Sequence, residues 1–287
     1  MDNAFGGCMA GSRHVCLIAA FAAGFAAMSC ETPSLADDRV SARQEQVCGG
    51  DEIARGTVGK ILDGHTFVLE DGREVRLAAI EVAPLAGPQD RAGPAGRAAA
   101  AALGALAAGD QVVLRRAESG SDRYGRLLAF AYTLRDGDVF LLQRELVAEG
   151  LARVSIPIAG PCSGHLLDRE KAAREAKLGL WAEPYYEVLN AEAPKDALAY
   201  RGRFALIEGK VASVRESGPT IYVNFGRRRI GDITVTIRKR NERSFAGGVD
   251  LPSLAGRRIR VRGWLDARGG DRAWIEADRP EQIEMAD

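Results

Sequence analysis

The sequence predicts a mainly β protein with helices, of the α+β class, arranged as two small barrels that follow one another along the chain. Two observations predict this arrangement. Short runs with strand periodicity, separated by Gly-, Pro- and Asp-containing turns, occur in both halves of the 287-residue chain, and each half also contains a helical segment. The hydrophobic content of 46% and the charged content of 27% are typical of a globular protein and exclude wholesale disorder.

The first group of predicted elements lies between residues 54 and 190. Asp63-Gly64 and Asp71-Gly72 are turn signals between strand-like runs, and glycines directly follow the helical segments, as is typical of helix C-termini. The order of three strands, a helix, two strands and further helices predicts a small closed barrel with helices packed outside it. The predicted strands are Thr57–Leu62, Thr66–Leu69, Val75–Ile80, Val112–Leu114 and Arg126–Leu134, and the predicted helices are Ala95–Ala108, Leu141–Glu149 and Leu166–Leu178.

The second group of predicted elements, residues 200–287, follows a linker at residues 191–199 that contains Pro and Ala. Ser217-Gly218-Pro219 is its clearest turn signal. The pattern again predicts a small barrel, with a short polar helix between the third and fourth strands. The predicted strands are Phe204–Val214, Ile221–Phe225, Ile233–Ile237, Arg258–Leu265, Trp274-Ile275 and one at Ile283, and the predicted helix is Lys239–Phe245.

The first 36 residues are predicted to be a signal peptide. An apolar run, Val15–Met28, is short for a helix that crosses a bilayer, and Ser34-Leu35-Ala36 supplies small residues for cleavage after Ala36. We therefore expect an exported protein, periplasmic or secreted, with an N-terminal extension at residues 37–53 and without a transmembrane domain after cleavage. Lipid attachment at Cys30 and an uncleaved anchor helix are the alternatives.

Cleavage after residue 36 would leave two of the five cysteines, Cys48 and Cys162. Two cysteines in an oxidising compartment favour one disulfide between them. The alternative is a pair of buried free thiols.

Three segments of the first group resemble the staphylococcal nuclease (thermonuclease) family. They are Asp63-Gly64-His65-Thr66, Val75-Arg76-Leu77-Ala78-Ala79-Ile80-Glu81, and Asp122-Arg123-Tyr124-Gly125-Arg126-Leu127-Leu128-Ala129. The resemblance covers roughly residues 54–185, including a similar final helix that closes on Trp181. It implies a five-stranded barrel with helices and a calcium-dependent phosphodiesterase ancestry. The second group is similar to the oligonucleotide-binding-fold (OB-fold) modules of bacteria, which implies an OB-like barrel.

The resemblance places the family's two catalytic arginines at Arg76 and Arg126. Guanidinium groups bind phosphate oxygens through paired hydrogen bonds and stabilise the negative charge that develops during hydrolysis. Ion pairing of the two arginines with Glu81 and Asp122 is the structural alternative.

The calcium site that the resemblance implies is altered. His65 stands at the position of a second aspartate, while Asp63 and Glu81 supply the other carboxylates. Because Ca²⁺ prefers oxygen ligands, imidazole is a poor substitute. The water-activating glutamate falls on Pro84, or on Leu85 if one residue is inserted, and neither side chain can accept a proton. Loss of a general base typically lowers the rate by about 10²–10⁴-fold.

Two interpretations follow. In the first, Asp63, His65 and Glu81 form a different site, for a transition metal or with His65 as a base, and Glu81 acts with Arg76 and Arg126 in catalysis. In the second, the barrel is a former nuclease that binds without cleaving. We expect a chain that is weakly active or inactive as a calcium nuclease. The alternative is a non-catalytic envelope protein that binds nucleic acid, another polyanion or a protein partner.

The charge is distributed unevenly although its total is zero. Residues 37–199 contain 20 Lys and Arg against 25 Asp and Glu, whereas residues 200–287 contain 18 against 12. A basic second barrel could bind single-stranded nucleic acid, an anionic membrane surface or the acidic first barrel. Strand periodicity places Arg258, Arg260 and Arg262 on its outward face. The alternative is that the basic loop and this face are solvated surface next to acids such as Asp232, Glu242 and Asp266. The candidate binding residues are Arg227, Arg228, Arg229, Arg238, Lys239 and Arg240, with Tyr222, Phe225, Trp264 and Trp274 as aromatic side chains that could stack on bases.

Overall fold

The computed structural model describes residues 48–85, 93–135, 138–155, 161–226, 232–266 and 273–286. All of them belong to one compact unit, Glu45–Asp287. The predicted signal peptide, Cys30, most of the predicted N-terminal extension, and Arg227, Arg228 and Arg229 lie outside the described residues. Within the described part of the chain, none of the helices has the length and apolar character needed to cross a membrane.

The described residues form strands β1 to β16 and helices α1 to α5, labelled in chain order. The strands span Glu52–Asp63, Thr66–Leu69, Glu74–Leu77, Ile80–Val82, Gln111–Ser121, Leu127–Arg135, Asp138–Leu141, Ala152–Val154, Leu189–Asn190, Phe204–Lys210, Ser213–Ser217, Thr220–Asn224, Ile233–Arg238, Arg258–Asp266, Ala273–Glu276 and Ile283–Met285. The helices span Gly93–Ala107, Leu142–Ala148, Pro161–Glu175, Pro194–Leu198 and Glu242–Phe245.

Strands β1, β2, β3, β5 and β6 form the five-stranded closed barrel that the sequence predicts. Antiparallel pairing connects β3, β2, β1, β5 and β6 in that order, and parallel pairing of β3 with β6 closes the ring. Fully buried Phe67, Leu77, Leu103 and Leu146 belong to its core, to which α1 and α2 contribute. The barrel therefore positions the β1–β2 turn and the end of β3, where the candidate site residues lie.

A disulfide joins Cys48, which precedes β1, to Cys162 in the first turn of α3, as the sequence predicts. Both cysteines are buried. Tyr132 of β6 fixes the same region, because its hydroxyl donates a hydrogen bond to the carbonyl of Cys48 at 3.0 Å. The bond spans 114 residues of sequence, and closing a loop of that size is worth about 4–5 kcal/mol in the chain-entropy treatment.

The prediction of one continuous strand at Val75–Ile80 is wrong, because the chain turns between β3 and β4. Ala79 has φ of +68°, a left-handed conformation that interrupts strand geometry. Strand β3 remains in the barrel, whereas β4 pairs with β8, a three-residue strand that the sequence did not predict. The turn carries Glu81 out of the barrel sheet and places it next to Arg153 of β8.

Strands β9 to β16 form a second sheet around a separate core. Its order is β11-β12-β13-β15-β14-β10-β9, and β16 pairs with β14 on the side opposite β10. The predicted strand Phe204–Val214 is in fact two strands, β10 and β11, because the chain changes partner between them. Strand β10 pairs with β14, whereas the backbone N–H of Ala212 donates to the carbonyl of Asn224 and β11 pairs with β12. Fully buried Ile207, Val235 and Ile259 lie in this core.

The outward face predicted for Arg258, Arg260 and Arg262 is not a solvated surface. Arg262 of β14 is 3% exposed and donates to Glu170 of α3 at 2.6 Å and to the carbonyl of Val154 at 3.1 Å. Arg260 and the partly exposed Arg258 both pair with Glu208 of β10. These arginines therefore form ion pairs within the second sheet and with helix α3.

Candidate functional site

A cavity of about 550 Å³ is lined by residues of both sheets, and four of the predicted site residues meet there. They are Asp63 at the end of β1, His65 in the β1–β2 turn, Arg76 of β3 and Glu81 of β4. A cavity of this volume can hold a small organic ligand or one nucleotide.

The carboxylate of Asp63 and the ring of His65 form a hydrogen-bonded pair. Asp63 Oδ1 accepts a hydrogen bond from the backbone N–H of His65 at 2.9 Å and lies 2.5 Å from ring atom Nδ1. Burial opposes ionisation of Asp63, but the hydrogen bonds from His65 and its electrostatic attraction prevail and lower the pKa of Asp63 to about 2. A proton on Nδ1 leaves Nε2 as the ring nitrogen that can accept a proton.

The β1–β2 turn is held between helix α1 and strand β3. A Cβ atom at Gly64 would lie 2.5 Å from the Cβ of Ala99 in α1, so the close approach of turn and helix requires glycine. The carbonyl of His65 accepts a hydrogen bond from the backbone N–H of Leu77 at 2.7 Å. These contacts fix the backbone on which the Asp63–His65 pair is built.

Arg76 and Glu81 form an ion pair across the turn that separates β3 from β4. The distance between Arg76 Nη2 and Glu81 Oε1 is 3.0 Å, and both side chains are about three-quarters or more buried. This single contact leaves other N–H donors of the guanidinium group available for a ligand.

Arg126 lies elsewhere and is not among the described residues that line the cavity. Its guanidinium group pairs with Asp122 at 2.7 Å and stacks near the ring of Tyr124. The structure therefore brings together Asp63, His65, Arg76 and Glu81 but does not add the second predicted arginine.

The residues predicted as metal ligands do not fit a calcium ion. Calcium takes about six to eight oxygen ligands, yet the carboxylates of Asp63 and Glu81 already accept hydrogen bonds from His65 and Arg76. Within the described ranges, no three His, Cys, Asp or Glu side chains come together as a metal site. The predicted set of Asp63, His65 and Glu81 therefore shares a cavity without forming a metal centre.

The position predicted for the general base is also without an acid. Pro84 and Leu85 both line the cavity, and neither can accept a proton. Glu187, which the sequence did not single out, is an exposed acid of the lining.

Sequence reasoning missed Arg153, which lines the cavity from β8. It is 9% exposed, and its guanidinium carbon lies 5.1 Å from the ring centroids of both Tyr186 and Phe204. A charged residue inside the short apolar run Leu151–Val154 is the sequence signal that could have identified it. Its aromatic neighbours are distant in sequence, so the pattern could not have identified them.

The second sheet and the chain that leads to it supply the remaining wall of the cavity. Tyr185, Tyr200, Arg203 and Trp264 all line it, and Trp264 is 57% exposed. Phe225, which was predicted to stack on bases, is 6% exposed and belongs to the core of the second sheet. That prediction is therefore wrong for Phe225.

The other candidate binding residues of the second sheet lie apart from this cavity. Arg238 pairs with Glu276 at 2.5 Å, Lys239 pairs with Glu216 at 2.6 Å, and Arg240 is exposed. Tyr222 and Trp274 line a separate, polar groove on the face of β11, β12 and β13. The basic cluster thus remains a predicted surface, distinct from the cavity.

Comparison with known proteins identifies part of the chain. Residues 74–183 match the family model described as "Staphylococcal nuclease homologue". The matched span contains Arg76, Glu81, Arg126 and Arg153 and begins after His65. A search of curated proteins found no match.

Proposed function

We propose that this chain, whose residues 74–183 form a staphylococcal nuclease-like domain, is an exported nuclease-family protein that binds single-stranded nucleic acid at the cavity without calcium-dependent cleavage. One observation carries the proposal. Asp63, His65, Arg76 and Glu81 line a single cavity, but both carboxylates are hydrogen-bonded to their basic neighbours rather than free for a cation.

Binding rests on the combination of cationic and aromatic groups in the lining. Arg76 has guanidinium donors beyond the one that contacts Glu81, and such donors match phosphate oxygens in geometry. Tyr185, Tyr200 and Trp264 offer ring faces on which bases can stack, a contact worth about 1–3 kcal/mol per base. A strand whose phosphates contact arginine and whose bases contact tyrosine is the ligand that this lining suits best.

A second candidate function is metal-independent phosphodiester hydrolysis. The hydrogen bond between Asp63 and His65 Nδ1 resembles the arrangement of a general base and its orienting carboxylate. Arg76 would then stabilise the charge that develops on the phosphate.

Export is part of the proposal. Disulfides persist in oxidising compartments, and the buried Cys48–Cys162 bond supports a location in the periplasm or outside the cell. An envelope protein partner remains the alternative role for the chain.

Fluorescence anisotropy of a labelled single-stranded oligonucleotide, measured in EDTA over a range of salt concentrations, tests the binding. We expect affinity to fall steeply with salt, and the Arg76→Gln variant to reduce the slope of log affinity against log salt by about one unit. Arg73→Gln is the matched control, because Arg73 is an exposed arginine of the β2–β3 turn that pairs with Asp71. Absent binding, or equal effects of the two variants, contradicts the proposal.

Incubation of the same oligonucleotide with calcium or with EDTA tests the chemistry. We expect no calcium-dependent cleavage. Cleavage in EDTA that disappears in His65→Gln would establish the second candidate function. Calcium-dependent cleavage that disappears in Arg126→Ala would contradict both candidate functions.

A further inference from the structure

Arg153 is a buried cation with a side-chain donor that has no hydrogen-bond partner within the described part of the chain. Its side chain lines the cavity and is 9% exposed. Atom Nε is fully buried and has no hydrogen-bond partner there, and the same holds for the hydroxyl oxygen of Tyr186 beside it. Two neighbouring residues of the cavity lining thus each carry a buried polar atom without a hydrogen-bond partner in the described part of the chain.

The acids closest to Arg153 accept hydrogen bonds from other residues. Glu81 pairs with Arg153 across the β4–β8 ladder, but its carboxylate accepts a hydrogen bond from Arg76. Glu170 accepts hydrogen bonds from Arg262 at 2.6 Å and from the backbone N–H of Val154 at 2.7 Å. What Arg153 contacts instead are the ring faces of Tyr186 and Phe204.

Such an arrangement is costly for a protein without a ligand. Burial of a cation carries a large desolvation penalty that ring faces offset only in part. Burial accordingly lowers the pKa of the Arg153 guanidinium, against the opposing influence of Tyr186, Glu170 and Glu81. An anion in the cavity would supply acceptor atoms and add negative charge beside the guanidinium group.

The adjacent part of the lining adds a second cation and a ring surface, because Tyr185 lies with its ring centroid 4.8 Å from that of Tyr186. Arg203 lies 4.8 Å from the ring centroid of Tyr185, and the rings of Tyr185 and Tyr200 are 5.7 Å apart. Both tyrosines and Arg203 line the cavity. An anionic group and a flat ring can therefore be bound together in about 550 Å³.

We propose that the cavity binds a phosphate monoester that carries a flat ring, with the phosphate at Arg153 and Arg203 and the ring against Tyr185 and Tyr200. Free nucleoside monophosphates and the phosphorylated 5′ end of a strand share this chemistry. The inference rests on the proposed function, because the same cavity is involved. It adds that a terminal phosphate, rather than the interior of a strand, is recognised.

Isothermal titration calorimetry of the full chain with adenosine 5′-monophosphate tests the proposal, with adenosine and inorganic phosphate as partial ligands. We expect saturable binding of the monophosphate and affinity at least tenfold lower for each partial ligand. The Arg153→Met variant should lose at least tenfold in affinity. Arg144→Met, in an arginine of α2 that pairs with Glu145 outside the cavity, should bind as the wild type does.

Thermal denaturation of the same variants without ligand separates binding from a structural role. Because Met removes an uncompensated buried cation, Arg153→Met should melt at the wild-type temperature or above it. A lower melting temperature, or failure to fold, would show that Arg153 is structural and overturn the proposal. Arg203→Met, at a half-buried position, gives an independent test, since unchanged affinity for the monophosphate in this variant also overturns it.

Oligonucleotides with and without a 5′-phosphate distinguish the two sources of the ligand and the two proposals. Tighter binding of the phosphorylated strand that is lost in Arg153→Met supports recognition of a strand end. Binding of the monophosphate without binding of either strand supports a free nucleotide as the ligand and refutes only the proposed function. Strand binding that depends on Arg76 but is insensitive to the 5′-phosphate and to Arg153→Met refutes only the present inference.

Discussion

At the scale of single residues, the chemistry of the cavity depends on which acid each basic side chain contacts. The resemblance to the nuclease family predicted that Asp63, His65, Arg76 and Glu81 belong together, and the structure places all four in one cavity. At the sequence level, pairing of the two arginines with Glu81 and Asp122 was the structural alternative, and both pairs are present. The contact between Asp63 and His65, which are two residues apart, was not predicted.

Two further arginines show what the sequence did and did not indicate. Arg126 has an acid four residues before it, Asp122, and pairs with it locally instead of reaching the cavity. Arg153 also has an acid four residues before it, Glu149, yet its guanidinium group lies against the rings of Tyr186 and Phe204, which come from segments that fold against it from farther along the chain. A sequence pattern does not contain that information.

The Asp63–His65 pair predicts a pH dependence of stability. The folded pKa of Asp63 is about 2 against an ordinary value of 3.8, so its contribution is present above pH 3.8 and is lost as the pH falls towards 2. We expect Asp63→Asn to lower the free energy of unfolding by on the order of 2 kcal/mol at pH 6, and by less at pH 3.

Urea denaturation at the two pH values measures this difference. Asp196→Asn, in an exposed aspartate of α4, serves as the control and should change stability little at either pH. An Asp63→Asn effect that is the same at pH 6 and pH 3 would be inconsistent with a depressed pKa.

At the scale of elements, the barrel strands were predictable because each is bounded by a turn signal. One kind of error occurs where a short strand has too few residues for periodicity to be visible, and another is the division of the predicted strand Phe204–Val214 into β10 and β11. Strand β8 has three residues, and the break between β3 and β4 occurs at Ala79, a residue type that gives no warning of a positive φ. That break matters for the site, because it directs Glu81 towards Arg76 and Arg153.

The close approach of the β1–β2 turn to α1 predicts opposite effects for two Gly→Ala variants. Gly64→Ala places a Cβ against Ala99 and should destabilise the protein by about 1–3 kcal/mol. Gly104→Ala, in the interior of α1 with its nearest neighbour at 3.8 Å, should stabilise it by about 0.5–1 kcal/mol. Chemical denaturation compares them, and a neutral Gly64→Ala would show that the turn does not pack as described.

At the scale of the whole molecule, the neutral total charge conceals an acidic first part and a basic second part that attract each other. Contacts between them include Arg262 with Glu170, Arg174 with Glu284 at 3.0 Å, and Arg279 with Glu118 at 2.7 Å. The composition indicated such attraction but not which arginines take part. Strand alternation placed Arg262 outward, and outward on this strand means towards α3.

The buried Arg262–Glu170 pair predicts strong coupling between its two residues. Glu170→Met alone leaves Arg262 as a buried cation without its main partner and should cost about 3–5 kcal/mol. The double variant with Arg262→Met should be more stable than either single variant, because no unpaired charge remains. Additive effects in a double-mutant cycle, measured by urea denaturation, would argue against the pair as a link between α3 and the second sheet.

The claim that the cavity is the nucleic-acid site is tested most directly by photo-crosslinking. A single-stranded oligonucleotide with a photoreactive base is irradiated with the wild-type protein in EDTA, and crosslinked peptides are identified by mass spectrometry. We predict crosslinks to Tyr185, Tyr200 or Trp264 around the cavity, reduced in Arg76→Gln. Crosslinks confined to Tyr222, Trp274 and the Arg238–Arg240 segment would instead place the binding site on the second sheet and contradict this account.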